Sequence, residues 1–165
     1  FLITIFKKMK KYILTFTFVI LGFITMAAQS KTNVQITKLY QNYIAVKTAL
    51  ASDDAAKTTR TANEFLKTLS TIKAGEISEK QLASLKLNAK AISGTSSIST
   101  QRKSFEGLSN EMIVIANDNK LSDKTIFVQY CPMAKASWLS NEEKIVNPYY
   151  GSSMLGCGVV KSKIK

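Results

Sequence analysis

The sequence predicts a mainly α protein, an antiparallel four-helix bundle followed by a small C-terminal lobe of short strands and loops. Three observations carry that expectation. Apolar residues recur at three- and four-residue spacing through four successive segments between residues 34 and 118. The connections between those segments are short, which makes consecutive helices antiparallel neighbours. The tail then changes character and gathers both Cys, both Pro and the only Trp.

Leu39, Tyr43, Val46 and Leu50 draw one stripe along a helix expected from about Val34 to Ala51. Ser52-Asp53-Asp54 supplies an N-cap and first-turn acids for a second helix, whose stripe is Ala55, Ala62, Phe65, Leu69 and Ile72, ending before Gly75. Ser78 with Gln81 three residues later reads as a capping box, opening a third helix that carries Leu82, Leu85, Ala89 and Ile92 and breaks at Gly94 to Ser97. Ser99 is the expected cap of the fourth, where Phe105, Leu108, Met112 and Ile115 follow the same spacing until Asn117-Asp118-Asn119. Met112 lies on that stripe and belongs to the core.

Thr125 to Tyr130 is β-branched and aromatic and too short for another such helix, so it reads as a strand. Asn147-Pro148 and Gly151 punctuate an irregular stretch, and Gly158-Val159-Val160 reads as a short returning strand.

The first residues read as an address. After Met9, two lysines precede an apolar run of about 15 residues, where a spanning helix needs roughly 20, and Ala27-Ala28 closes it. Residues 1–28 are therefore expected to be a signal peptide with upstream residues, removed on export. Residues 29–165 are then a single exported domain, with the helical bundle at about 32–119 and a sulfur-containing lobe at about 120–165. The expected location is periplasmic or secreted, with no stable membrane insertion after cleavage.

Composition narrows the chemistry. The 165 residues carry 23 Lys+Arg, 11 Asp+Glu and no His, for a formal charge of +12. Without imidazole, zinc fingers, His-based metalloenzymes and Ser-His-Asp or Cys-His catalysis fall away together. The lysines are dispersed along the helices, with no basic run interleaved with aromatics, so no nucleic-acid partner is expected. Cys131 has no His to deprotonate it, adjacent Glu142 and Glu143 make no acid/base pair, and a CxxC is absent. The chain does not read as an enzyme.

Cys131-Pro132-Met133 and Met154-Leu155-Gly156-Cys157 each combine a thiol with a thioether. Two Cys and two Met form a soft donor set suited to Cu(I). Two Cys in an exported chain also suit a disulfide, whose closed loop would contribute roughly 3.5 kcal/mol, with the Met side chains as fillers. Both readings stand at this point. Trp138, Tyr149 and Tyr150 read as a small satellite core, with shielding of a bound soft metal as their alternative role.

The run Tyr130-Cys131-Pro132-Met133-Ala134, Trp138-Leu139-Ser140, Ile145, Asn147-Pro148-Tyr149-Tyr150-Gly151, Met154-Leu155 and Cys157-Gly158 resembles the signature of a bacterial exported family, domain of unknown function 3347. Gln101-Arg102, Phe105 and Leu108-Ser109 resemble the helix before that signature. Members of this type stand alone or are joined to the periplasmic adaptors of heavy-metal efflux pumps. The resemblance therefore implies handling of copper or a related soft metal, with Cys131, Met133, Met154 and Cys157 as ligands and Trp138, Asn147 and Tyr149 as supports. It implies a protein that buffers Cu(I) or delivers it to an efflux component. The alternative is a disulfide-stapled interaction module without metal. With no His, the donor set departs from Zn²⁺ or Cu(II) more than from Cu(I).

Overall fold

Four helices and a small three-stranded antiparallel sheet make up residues 34–165, the part of the chain that the computed structural model describes. The expected leader lies outside the described residues. The helices are α1 (Val34–Ala51), α2 (Ala55–Leu69), α3 (Glu79–Ser93) and α4 (Ile98–Asp118). Strands β1 (Ile126–Cys131), β2 (Ala136–Ser140) and β3 (Val159–Ile164) follow, with a short 3₁₀ turn at Gly151–Met154 before β3.

The caps follow the local chemistry. Asp54 accepts from the Lys57 N–H at the start of α2. At α3, Ser78 accepts from the Gln81 N–H while the Gln81 side chain accepts from the Ser78 N–H, so two otherwise unpaired donors are satisfied reciprocally. The fourth helix begins earlier than expected, because Ser97 and not Ser99 accepts from the Thr100 N–H and sets the first turn.

Consecutive helices pack against one another. Leu39, Tyr43, Val46 and Leu50 of α1, Phe65 of α2, Leu85 and Ile92 of α3, and Phe105, Leu108, Met112 and Ile115 of α4 are all fully buried in one cluster. The stripes are thus the core. Gln101 is buried among helix ends, and its amide donates to the Ala55 and Thr95 carbonyls, tying the start of α2 to the turn after α3.

In the sheet, β1 is central, paired antiparallel to β2 on one side and β3 on the other. The sequence predicts the first strand and the return, and β2 is an additional strand between them in the chain. A tight turn over Pro132–Lys135 closes the β1–β2 hairpin at the Cys131–Ala136 pair, with Lys135 in the left-handed region. Helix α4 packs on β2. Trp138 and Leu139 are fully buried and belong to the main cluster, so the expected satellite core around Trp138 is corrected. The physical reason is an aromatic row joining helices to lobe. Tyr43 stacks on Phe105 at 5.3 Å, Phe105 meets Tyr149 at 5.8 Å, and Tyr149 meets Trp138 edge-on at 6.0 Å.

Candidate functional site

The hairpin and the returning segment bring the two thiols together. Cys131 ends β1 and is fully buried, while Cys157 stands just before β3 and is partly exposed. Their Sγ atoms lie 3.4 Å apart, and both are free thiols. Gly158 makes this approach feasible. It sits at φ +150°, and a Cβ there would come within 3.0 Å of Trp138 Cη2 and of the Tyr130 carbonyl oxygen. The chain passes over Trp138 too closely for a side chain at that position.

Asn147 fixes the returning segment from beneath. Its side chain is fully buried, donates to the Cys157 carbonyl at 2.8 Å, and accepts from the Tyr149 N–H at 2.8 Å. Its own N–H donates to the Leu155 carbonyl at 2.9 Å. The Tyr149 hydroxyl donates to the Ser137 carbonyl of β2 at 2.8 Å. Asn147 and Tyr149 thus tie down the backbone around Cys157. Trp138 is fully buried against Gly158, and its Nε1 has no hydrogen-bond partner.

A second tie comes from the helices, and the sequence reading missed it. Arg102 of α4 donates from Nε to the Pro148 carbonyl at 3.0 Å and from Nη2 to the Leu50 carbonyl and the Asp53 carboxylate. The Ser152 N–H donates to the other Asp53 oxygen at 2.8 Å. Gly151 lies between them at φ +54°, where an added Cβ would collide with both Arg102 and Asp53. The signal available in sequence was an arginine on an otherwise apolar helix face, but nothing local revealed its partners.

The two thiols are electrostatically unequal. Burial pushes Cys131 up, but hydrogen bonds from the Ala134 N–H, the Cys157 thiol, the Asn147 amide and the Met133 N–H outweigh it, and the net shift is downward. The hydrogen bond to Cys131 holds Cys157 up, aided by desolvation and by the charge on Cys131. The surroundings thus favour the thiolate at Cys131 and the thiol at Cys157.

The thioethers are placed differently from the thiols. Met133 is 62% exposed on the hairpin turn and Met154 is 40% exposed on the returning segment. They flank the pair in the chain and stand at the surface. Among the described residues, no three His, Cys, Asp or Glu side chains group in a way that would hold a metal ion. The donors on hand are two thiols, with sulfur nearby in sequence. At a thiolate–metal bond of about 2.3 Å, two sulfurs can share one ion only at separations up to about 4.6 Å, and the pair lies within that range.

A family model described as a protein of unknown function (DUF3347) matches residues 39–124. The chain belongs to that family. No curated protein and no solved structure gave a match. Within this DUF3347 chain the matched span covers most of α1, all of α2 to α4 and the approach to the sheet, while Cys131, Met133, Met154 and Cys157 lie beyond it. The family match thus rests on the helical part and not on the run from Tyr130 to Gly158. Among the described residues no helix is long and apolar enough to cross a membrane.

Proposed function

We propose that this DUF3347 protein is an exported soft-metal binding protein that takes Cu(I) as cargo on Cys131 and Cys157 and buffers it or passes it to a metal-efflux component. The observation that carries the reading is the free thiol pair at 3.4 Å, one member buried and the other partly exposed. Thiolates are the soft donors that Cu(I) prefers, and the exposed Met133 and Met154 are soft donors on its path in or out. Tyr149 and Asn147 hold the loop, and the buried Trp138 packs against it at Gly158. In the same reading the four helices form an antiparallel bundle that serves as the platform. The three-residue connection at 52–54 and the packing of each helix on the next support it.

A second reading rests on the same distance. Thiols this close need only a small displacement to close a disulfide, which would make the lobe a stapled interaction module without metal. The test is metal content together with thiol titration of protein purified anaerobically from the exported fraction. Copper near one equivalent, with two thiols recovered once it is removed, supports the first reading. Two thiols recovered only after reduction, with no metal, support the second and contradict the first.

A further inference from the structure

We propose that the Cys131–Cys157 pair captures monosubstituted trivalent arsenicals, compounds in which arsenic carries one organic group and two exchangeable oxygen bonds. The inference rests on the reading of these two residues as a ligand pair, and it names a ligand class that the copper reading does not contain. Two observations carry it: the separation of the sulfurs, and the surface around the exposed one.

With bonds of about 2.3 Å to each sulfur, a spacing of 3.4 Å subtends an angle of about 95° at the bound atom. A linear two-coordinate ion would need about 4.6 Å, a trigonal planar one about 4.0 Å and a tetrahedral one about 3.8 Å at the same bond length. Three-coordinate trivalent arsenic is pyramidal, because a lone pair occupies its fourth position, and its bond angles lie close to a right angle. The pair as placed has that bite. Cu(I) requires the sulfurs to move apart, whereas trivalent arsenic takes them where they are.

The third substituent on arsenic must leave the site on the side of Cys157, since Cys131 is fully buried and Cys157 is partly exposed. The chain on either side of the pair carries exposed apolar side chains. Of the seven large hydrophobic side chains that stand exposed among the described residues, four flank the pair in the chain: Met133, Met154, Leu155 and Val159. An organic substituent gains cover from them, and a hydroxyl gains nothing. The surface thus favours an organoarsenical over arsenite.

The exchange balances without a redox partner. With phenylarsine oxide, the arsenic–oxygen bonding and two S–H bonds break, two As–S bonds form, and the two thiol protons leave with the oxygen as one water. Arsenic stays trivalent and both cysteines stay at the thiol oxidation level.

The test uses the reduced chain under anaerobic conditions, titrated with phenylarsine oxide and separately with arsenite, reading intact mass and remaining thiols. The expected result is one arsenical per chain with both thiols consumed, and phenylarsine oxide held at least about tenfold more tightly than arsenite. Leu155→Ser and Met154→Ser should narrow that preference. Cys157→Ser should weaken capture by about a hundredfold or more, because the second sulfur no longer binds intramolecularly. Circular dichroism checks the fold of each variant, and if Cys157→Ser fails to fold, the wild-type stoichiometry and the surface variants still decide. Unreacted thiols, or two arsenicals on one chain, would overturn the inference. Cu(I) titrated into the same preparation separates the two ideas. Copper binding without arsenical capture overturns this inference alone, and arsenical capture without copper binding supports it while removing the copper reading.

Discussion

Arg102 and Asp53 meet at 2.5 Å, across 49 positions of sequence, and between them they hold the loop that delivers Cys157. The guanidinium reaches the Pro148 carbonyl and the carboxylate takes the Ser152 N–H, so the turn between α1 and α2 and the face of α4 grip the returning segment on both sides of Gly151. Hydrogen bonds from Ser152 and then from Arg102 hold the Asp53 carboxyl down to about 2. A folded value below the unfolded one adds stability that is complete above the ordinary carboxylate range and is lost as pH falls through the folded value. The expected outcome is that wild type loses stability between about pH 4 and pH 2 more steeply than Asp53→Asn does. Urea midpoints at intervals across that window check it, and parallel curves would remove Asp53 from the clamp.

Gly151→Ala should destabilise the chain by about 1–3 kcal/mol, from the left-handed backbone at φ +54° together with the collision of the new methyl with Arg102 and Asp53. Gly156→Ala is the control, because a Cβ there meets nothing within 4 Å. Chemical denaturation of both variants reads the difference, and equal midpoints would contradict the argument.

Phe105 and Leu108 are fully buried at the centre of the helical core. Phe105→Ala is expected to cost about 3–5 kcal/mol and Leu108→Ala about 2–5 kcal/mol. A loss under about half a kcal/mol in either, measured by equilibrium denaturation, would contradict the packing described.

Tyr43→Phe tests how the helices hold the sheet. The Tyr43 hydroxyl accepts from the Leu139 N–H at 3.0 Å and shares a hydrogen bond with Ser109 at 2.8 Å, so one helical residue satisfies a donor on the edge strand β2. Removing the hydroxyl leaves both groups buried without it, at an expected cost of about 1–3 kcal/mol. Hydrogen exchange at Leu139 should accelerate in the variant, and unchanged protection there would dismiss the link.

The helices were legible because their information is local. A stripe such as Leu39, Tyr43, Val46 and Leu50 is visible in one window, and the Ser78–Gln81 capping box spans four residues. Strand β2 was harder to read. Ala136-Ser137-Trp138-Leu139-Ser140 lacks clean alternation, since its last three residues are all buried, two of them by α4 or the main core and not by the sheet alone. The choice of Ser97 over Ser99 as cap turned on a two-residue shift that propensity does not resolve. Within the site, the sulfur residues announced themselves by type, and the family resemblance singled out Asn147. Arg102 and Asp53 did not, because their meaning lies in contacts with residues 148–152 that only the fold creates.

The most direct measurement is a Cu(I) titration of the anaerobically reduced wild type against a competing chelator, repeated with Cys131→Ser, Met133→Leu and Met154→Leu. The account predicts one Cu(I) per chain in the wild type, loss of competitive binding in Cys131→Ser, and weaker binding in the Met variants with fold stability nearly unchanged. Failure of the reduced wild type to take Cu(I) from the chelator, with both thiols demonstrably free, would contradict it.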